Sequence, residues 1–506
     1  MVLAPSLGYN FDLPHPSFES IRLARQQGHQ MGFPQEDQQE EYHAFLLENY
    51  HELDFLDSSG TINDQLEFLQ QIGELAAIES INAYGCTALT ERGLRCLSPN
   101  LKGLNVAANP QLTLGGLGHL TELSSLNLRR CPQVGQQWIQ HFAQLPLTYL
   151  NLSYCNLSSE ALQSLTLLSS LTALDLSNNS NVTQTTLNSL TSLTSLRVLN
   201  IASCKGLPEE PNINQLPFLA DINLGYCTQV TGVDLSDLTA LKNLDLSDCK
   251  NLPSITFSNF IALESLDLSY CKQLKRIELS GLPAFENLKL THCEELPGIA
   301  LSNLPALKNL DLANCSNLKS ITLQDMSVLE NLKLWYCNQL KRIELNGLPA
   351  FENLKLTHCE ELPEIALSNL PALKNLDLAN CSNLKSITLQ DMSVLENLKL
   401  WYCDLLESVV LSSMPALVRL NLNNSRNLSW VSLSNLPALR DLDLSYCHQL
   451  RRVELRDMPL LQNLNLSSCK ALSNLVFSPL PALESLNVDG CMHLIPALFG
   501  RVDNFL

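Results

Sequence analysis

Cysteine and histidine give this chain of 506 residues its widest choice of chemistry: disulfide exchange, metal ligation or nucleophilic attack. It carries seventeen cysteines and ten histidines. From Cys227 the cysteines fall at Cys249, Cys271, Cys293, Cys315, Cys337, Cys359, Cys381 and Cys403, each 22 residues after the last. Ser425 takes the next place, and Cys447, Cys469 and Cys491 resume the step. No CxxC and no His–Cys pair has the spacing of a zinc site. His292–Cys293–Glu294, copied at His358, gathers three ligand types, but its cysteine belongs to the ladder and is expected to face inward. GxxxxGK[ST], HExxH and GxSxG are missing. The glycine cluster LGGLGHL at 114–120 has no strand-to-helix context for a phosphate. No catalytic, cofactor-binding or metal-binding residue is assigned, and no cofactor is expected.

A second set of residues has chemistry of another kind. The two positions before the ladder cysteines carry Tyr154, Tyr226, Tyr270, His292, Trp335, Tyr336, His358, Trp401, Tyr402 and Tyr446. Tryptophan and tyrosine combine large apolar area with a polar tip and concentrate at binding hot spots. Two readings stand together: the stripe touches a partner, or the rings stack on one another to cover a turn edge. A few residues upstream runs a column of Asn and Asp, broken by Lys289, Lys333, Lys355 and Lys399. Beside it lie Asn287, Asn309, Asn331, Asn353, Asn375 and Asn397, which can hydrogen-bond to one another along a sheet. The candidate partner-binding set is Tyr270, His292, Trp335, Tyr336, His358, Trp401, Tyr402 and Tyr446 with the four lysines.

The elements that position these residues follow from the frame LxxLxLxxC, as in LKNLDLSDC from Leu241 to Cys249. It occurs nineteen times, ending earlier in the chain at Cys86, Asn109, Cys131, Cys155, Asn179 and Cys204, with a possible twentieth at Tyr50–Ser58. LxL has period two, so its leucines share one face of a short strand and its middle residue faces away. One such strand cannot bury its leucines alone, so the frames are expected to stack into a parallel sheet. The Cys or Asn that ends each frame is placed to answer backbone groups where the chain turns inward. Stacked cysteines would sit about 4.8 Å apart with parallel Cβ vectors, which disfavours disulfides.

These frames resemble the leucine-rich repeat superfamily, whose signature is LxxLxLxx(N/C)xL, over residues from about Tyr50 to Cys491. The N-terminal repeats, such as LNLSYCNLSSEALQSL, look like the cysteine-containing type of F-box proteins, and the C-terminal ones look like short bacterial repeats. The fold expected is an α/β solenoid, a horseshoe or arc with a parallel concave β-sheet. Its convex side is helical where NLSSEALQSLTLL and NVTQTTLNSLTSL return the chain, and extended where QLKRIELSGLPAF does. The change is placed near residues 205–230, with a curved arc passing into a flatter stretch. The division expected is an acidic segment and helical cap at 1–49, looser repeats at 50–204, 22-residue repeats at 205–491 and a cap at 492–506. Residues 273–338 and 339–404 are one three-repeat text written twice, differing at Ser280/Asn346, Gly298/Glu364 and Asn338/Asp404.

Composition narrows the function. Of the 506 residues 111 are leucine, and the net charge is −19. Residues 1–80 hold 14 acids and 2 bases, so most of that charge is local. An acidic chain lacks the basic face that nucleic acid requires. No run of 18 apolar residues offers a membrane span. The first residues have no signal-peptide pattern, which with an odd cysteine count points to a reducing, cytoplasmic setting. Near the N-terminus QEDQQEEYHAFLLENYHELDF and TINDQLEFLQQIGEL read as two helices that cap the exposed leucine face. The resemblance implies a non-enzymatic, monomeric interaction scaffold, similar to effectors that intracellular bacteria deliver into host cells by a signal-peptide-independent route to bind host proteins. A substrate receptor of a ubiquitin ligase, using residues 1–80 to hold an adaptor, is the alternative. A leucine-rich repeat GTPase activator fits less well, since its repeats are 28 residues long.

Overall fold

The structure is a computed structural model that describes residues 52–55, 62–71, 73–389 and 392–494. The expected cap at 1–49, and most of the one at 492–506, lie outside the described residues. The chain divides into two units, Met1–Asp245 and Leu246–Leu506.

In the first unit each LxL frame makes a three-residue strand, from Glu52–Asp54 and Ser80–Asn82 to Asp221–Asn223 and Asn243–Asp245. Neighbours pair in parallel and in register, so Leu126, Leu150, Leu174 and Leu199 line up beneath the sheet, each buried. The return side is helical, with Gln136–Phe142, Ser159–Ser164 and Gln184–Ser189. Ser158 caps the second of these, its hydroxyl accepting from the Ala161 N–H at 3.2 Å. TINDQLEFLQQIGEL forms the expected helix over Ile62–Gln71, burying Ile62, Leu66 and Leu69. Asn63 ties it to the next repeat, donating to the Ala88 carbonyl at 2.7 Å and accepting from the Thr90 N–H at 3.0 Å. The acidic helix expected through Phe55 is corrected at its end. Glu52–Asp54 is a strand paired with Ser80–Asn82, and the Phe55 N–H donates to the Asn82 carbonyl at 2.7 Å. Backbone pairing with the next rung outweighs the helical periodicity there.

In the second unit the strands run from Ser265–Asp267 to Ser485–Asn487 and stay in register; Leu288, Leu310, Leu332, Leu354, Leu376 and Leu398 stack in one line. The return side is extended, as in Ser320–Gln324, which pairs with Gly298–Ser302 and Arg342–Asn346. Burial there alternates: Ile321 and Leu323 face inward, Ser320 and Gln324 outward. Two corners close each 22-residue turn with positive φ. One precedes the cysteine, as at Asp248, Tyr270, His292 and Asn314; the other comes eleven residues later, at Asn259, Gly281, Asn303 and Asp325. Asn, Asp and Gly suit that conformation best. At Gly281 a Cβ would also lie 2.8 Å from Asn259 Oδ1.

All seventeen cysteines are free and buried. Ladder thiols donate to a carbonyl of the preceding repeat: Cys315 to Leu290 at 3.1 Å, Cys337 to Leu312 at 3.2 Å, Cys359 to Leu334 at 3.1 Å. Asn179 makes the same bond to Leu152 at 2.9 Å, and Ser425 makes it to Leu400 at 3.0 Å. Cys, Asn and Ser therefore share one duty, that of a small inward donor. Burial pushes the thiols of Cys155, Cys204, Cys381 and Cys447 up to about 12, so they remain protonated donors.

Substitution at Cys337 tests that duty. Cys337→Ser keeps a donor for Leu312 and is expected to unfold within a few degrees of the parent. Cys337→Ala leaves the Leu312 carbonyl with just the Cys315 N–H at 3.3 Å, a loss of about 1 kcal/mol. Equal thermal stability of the two variants would contradict the assignment.

Candidate functional site

The candidate partner-binding residues lie in the second unit, where each strand ends and turns toward its cysteine; Tyr154 and Tyr226 hold the same corner in the first. In most rungs the last strand residue is Asn or Asp, and its side-chain oxygen accepts from the N–H two residues on. Asp267 holds Ser269, Asp311 holds Ala313, Asp377 holds Ala379 and Asn421 holds Asn423, at 2.8 to 3.1 Å. This local ring satisfies an N–H that the ladder of strands leaves over.

Lysine has no acceptor. Where Lys289, Lys333, Lys355 and Lys399 end the strand, the N–H groups of Thr291, Trp335, Thr357 and Trp401 have no hydrogen-bond partner among the described residues. The Thr357 hydroxyl is also buried without a partner. Three of the lysines instead reach back one rung. Lys333 lies 3.1 Å from Asp311 Oδ2, Lys399 3.5 Å from Asp377 and Lys289 3.8 Å from Asp267. Each Asp thus caps its own strand with one oxygen and meets the next rung's lysine with the other.

Lys355 departs from that rule, because the rung before it carries Lys333 in direct register. The pair stands at the seam of the duplication, where the last rung of the first copy meets the first rung of the second. Lys355 Nζ sits instead over the Trp335 ring, 5.6 Å from its centroid, at cation–π range.

The stripe itself adopts left-handed backbone. Tyr270, His292, Tyr336, His358, Tyr402 and Tyr446 all have φ between 57° and 63°. Bulky residues rarely take this region, at a cost of about 1–2 kcal/mol each. Asn314, Asn380 and Asn424 occupy the same corner in intervening rungs, so the corner does not demand a ring. Stacking returns part of that cost, about 0.5–1.5 kcal/mol per pair. Tyr270 stacks on His292 at 4.4 Å and 12°, and Tyr336 on His358 at 4.3 Å and 6°. Trp335 meets Tyr336 edge-on at 5.6 Å, and Trp401 meets Tyr402 likewise.

The candidate residues therefore gather unevenly. Lys333, Trp335, Tyr336, Lys355 and His358 form one cluster, Tyr270 and His292 a second, and Lys399, Trp401 and Tyr402 a third. Tyr446 stands apart, edge-on to His448. The tyrosines are exposed, while the tryptophans and His292 and His358 are half-buried. His292 and Cys293 do not converge on a metal: the thiol donates inward to Leu268 at 3.2 Å while the imidazole lies on Tyr270. No group of three or more candidate ligands occurs among the described residues. The asparagines beside the strands form an amide ladder, Asn309 to Asn287, Asn331 to Asn309 and Asn353 to Asn331, each at 2.8 Å. Sequence reasoning noticed the lysines but not the unclaimed N–H groups; Lys in a column of Asn and Asp was the available signal.

A family model described as the BspA type leucine rich repeat region matches the chain in six copies, over residues 224–341 and 309–429. No curated protein matches the sequence. Among solved structures, the chain is similar to one from the Toll–Spatzle complex of Drosophila, at 16% identity and a TM-score of 0.43. That match covers 79% of this chain and 55% of the other, so this chain spans about half of its relative's length. It is also similar to the functional domain of InlJ from Listeria monocytogenes, which includes a cysteine ladder, at 19% identity, covering 72% and 76% of the two chains with a TM-score of 0.24. A third similarity is to the internalin inlF of Listeria monocytogenes, at 18% identity, covering 62% and 94% with a TM-score of 0.31.

Two outcomes check this geometry. Lys355→Asn restores the missing acceptor and removes one of two like charges, so the unfolding midpoint should rise, by about 1 kcal/mol of stability; a fall would contradict the cap. Burial holds the His292 imidazole below its usual range, with Glu294 opposing and Lys272 adding to the effect. The unfolded chain then binds this proton first, so the stability that neutral His292 contributes is full above the ordinary imidazole value and is lost as pH falls through the lower folded one. Between pH 7.5 and 5.5 the parent should lose more thermal stability than His292→Asn, and an imidazole NMR titration should place the transition.

Proposed function

The chain belongs to the leucine-rich repeat superfamily, and from that premise we propose that it is a non-enzymatic scaffold that binds another protein along the aromatic, lysine-bearing edge of its second unit. Leucine-rich repeat folds commonly serve as interaction scaffolds, and the matching family model indicates no catalytic family. One observation carries the choice of surface: bulky rings hold a left-handed corner that asparagine fills in neighbouring rungs. A stacked pair offsets part of that cost, but Trp401 and Tyr402 meet just each other, and Tyr402 has Asn424 as its next-rung neighbour. Rigid aromatic area beside charged groups is what a hot spot requires.

The contacting residues in this reading are Tyr270, His292, Trp335, Tyr336, His358, Trp401, Tyr402 and Tyr446, with Lys289, Lys333, Lys355 and Lys399. The partner in this reading is a host protein, and the scaffold works as a monomer in the cytoplasm. The short 22-residue repeats support this effector-type role. No helix among the described residues is long and apolar enough to cross a membrane.

Affinity purification from host-cell lysate with the full chain tests the reading. The variant Trp335→Ala/Trp401→Ala should recover the principal partner at least tenfold less well than the parent while keeping the same circular dichroism and unfolding midpoint. Undiminished recovery would overturn the assigned surface. Recovery of ligase adaptor proteins that depends on residues 1–80 would favour a substrate receptor instead.

A further inference from the structure

Four lysines interrupt a column of Asn and Asp, and each substitution removes an acceptor and adds a cation at one spot. The effect is largest at the duplication seam. There Lys333 and Lys355 lie side by side, and the N–H groups of Trp335 and Thr357, two residues beyond them, have lost the oxygen that other rungs supply. The Thr357 hydroxyl adds a third unanswered polar group. Lys333 shares Asp311, but Lys355 has no carboxylate within salt-bridge distance among the described residues. Donors and positive charge are present together, and the acceptor that would satisfy them is not part of the repeat.

We infer that this seam binds a carboxylate of an acidic peptide segment in the partner protein, one oxygen taking the place that an Asn or Asp side chain fills in other rungs. The inference rests on the reading of this edge as the protein-binding surface and adds the chemistry of what binds there. Charge complementarity is local. The chain as a whole carries −19, so long-range attraction does not draw an anion to it. Asp311 and Asp377 flank the two lysines one rung to either side. That is too short a basic track for a polyphosphate backbone, which needs cations in series, and the right size for one side-chain carboxylate. Trp335 walls the site and offers an apolar face to the neighbouring peptide residue. Three rungs from Lys333, Lys399 and the uncapped Trp401 N–H repeat the arrangement in weaker form, with Asp377 competing. Three strand spacings make about 14 Å, which four extended residues nearly span at about 3.3 Å each. The favoured segment is extended, with acidic residues about four apart and apolar residues between them.

A fluorescein-labelled twelve-residue peptide with Glu at every fourth position among Ser and Leu is the probe, and its Gln counterpart is the control. Both are titrated by fluorescence anisotropy against the full chain at low ionic strength. The Glu peptide should bind at least tenfold more tightly than the Gln peptide. Lys333→Asn/Lys355→Asn restores both caps, so it folds, and should erase that preference. Lys308→Gln, which removes a lysine paired with Glu286 at 2.9 Å, should keep it. Equal binding of the two peptides, or a preference that survives in the double Asn variant, overturns the inference. The lysate experiment separates the two ideas. A partner lost by Trp335→Ala/Trp401→Ala but kept by the double Asn variant leaves the scaffold standing and removes the carboxylate site. A partner kept by both variants removes both.

Discussion

A three-residue strand that turns inward leaves a carbonyl facing a dry interior, and everything else in this chain follows from answering it. Its own rung answers in part, as the Cys315 N–H does to Leu312 at 3.3 Å, and leaves the oxygen's second lone pair open. The rest of the answer comes from the next rung, whose Cys, Asn or Ser donates across the stack, as Cys337 does to Leu312 and Ser425 to Leu400. A donor shorter than glutamine and uncharged is required, because the space is enclosed by the leucines of two repeats. The 22-residue step is the distance at which this donor and the LxL leucines come back into register together. In the second unit, left-handed corners set eleven residues apart then turn the chain through its circuits.

That regularity explains how a 66-residue duplication could enter without disturbing the core. Three whole circuits were added, so each inward leucine and thiol met the same kind of neighbour as before; Phe285 and Phe351, at equivalent places in the two copies, are both fully buried. The outward column did not escape so easily. In the first copy every lysine follows an aspartate, whereas at the seam lysine follows lysine. The core tolerates copying because its rungs are interchangeable. The surface registers the seam because charges depend on order, and two like charges in register repel.

The rings on the left-handed corner obey a different logic from the cysteines next to them. The cysteine position is nearly invariant in size and in duty. The corner position accepts Asp, Asn, Ser, Gly, Ala, Arg, His and Tyr, so the fold asks just that the residue endure positive φ. Choosing tyrosine there means accepting strain, and the Tyr–His stacks at 270/292 and 336/358 recover some of it through contact along the stack. Such freedom of choice is where a repeat protein has room to build a binding surface without altering its core.

Much of this was legible from residues alone. The LxxLxLxxC frame identified the strands, their register and the inward cysteines, since period two and a constant step leave one way to bury so many leucines. The switch from helical to extended return segments showed in the same way, through the length and alternation between frames. The strand at Glu52–Asp54 was readable as a twentieth frame but competed with an amphipathic helix, and pairing with Ser80–Asn82 decided between them. What the tertiary structure alone decided was the state of individual polar groups. That the Trp335 and Thr357 N–H groups go unanswered, that Lys355 turns to a ring where the rung before it offers a lysine, and that tyrosines stand on left-handed backbone all depend on which atoms meet across rungs. Hydrophobic periodicity is a property of the chain and can be read along it. Hydrogen-bond satisfaction and charge pairing are properties of neighbours in space, and they exist only once the rungs have stacked.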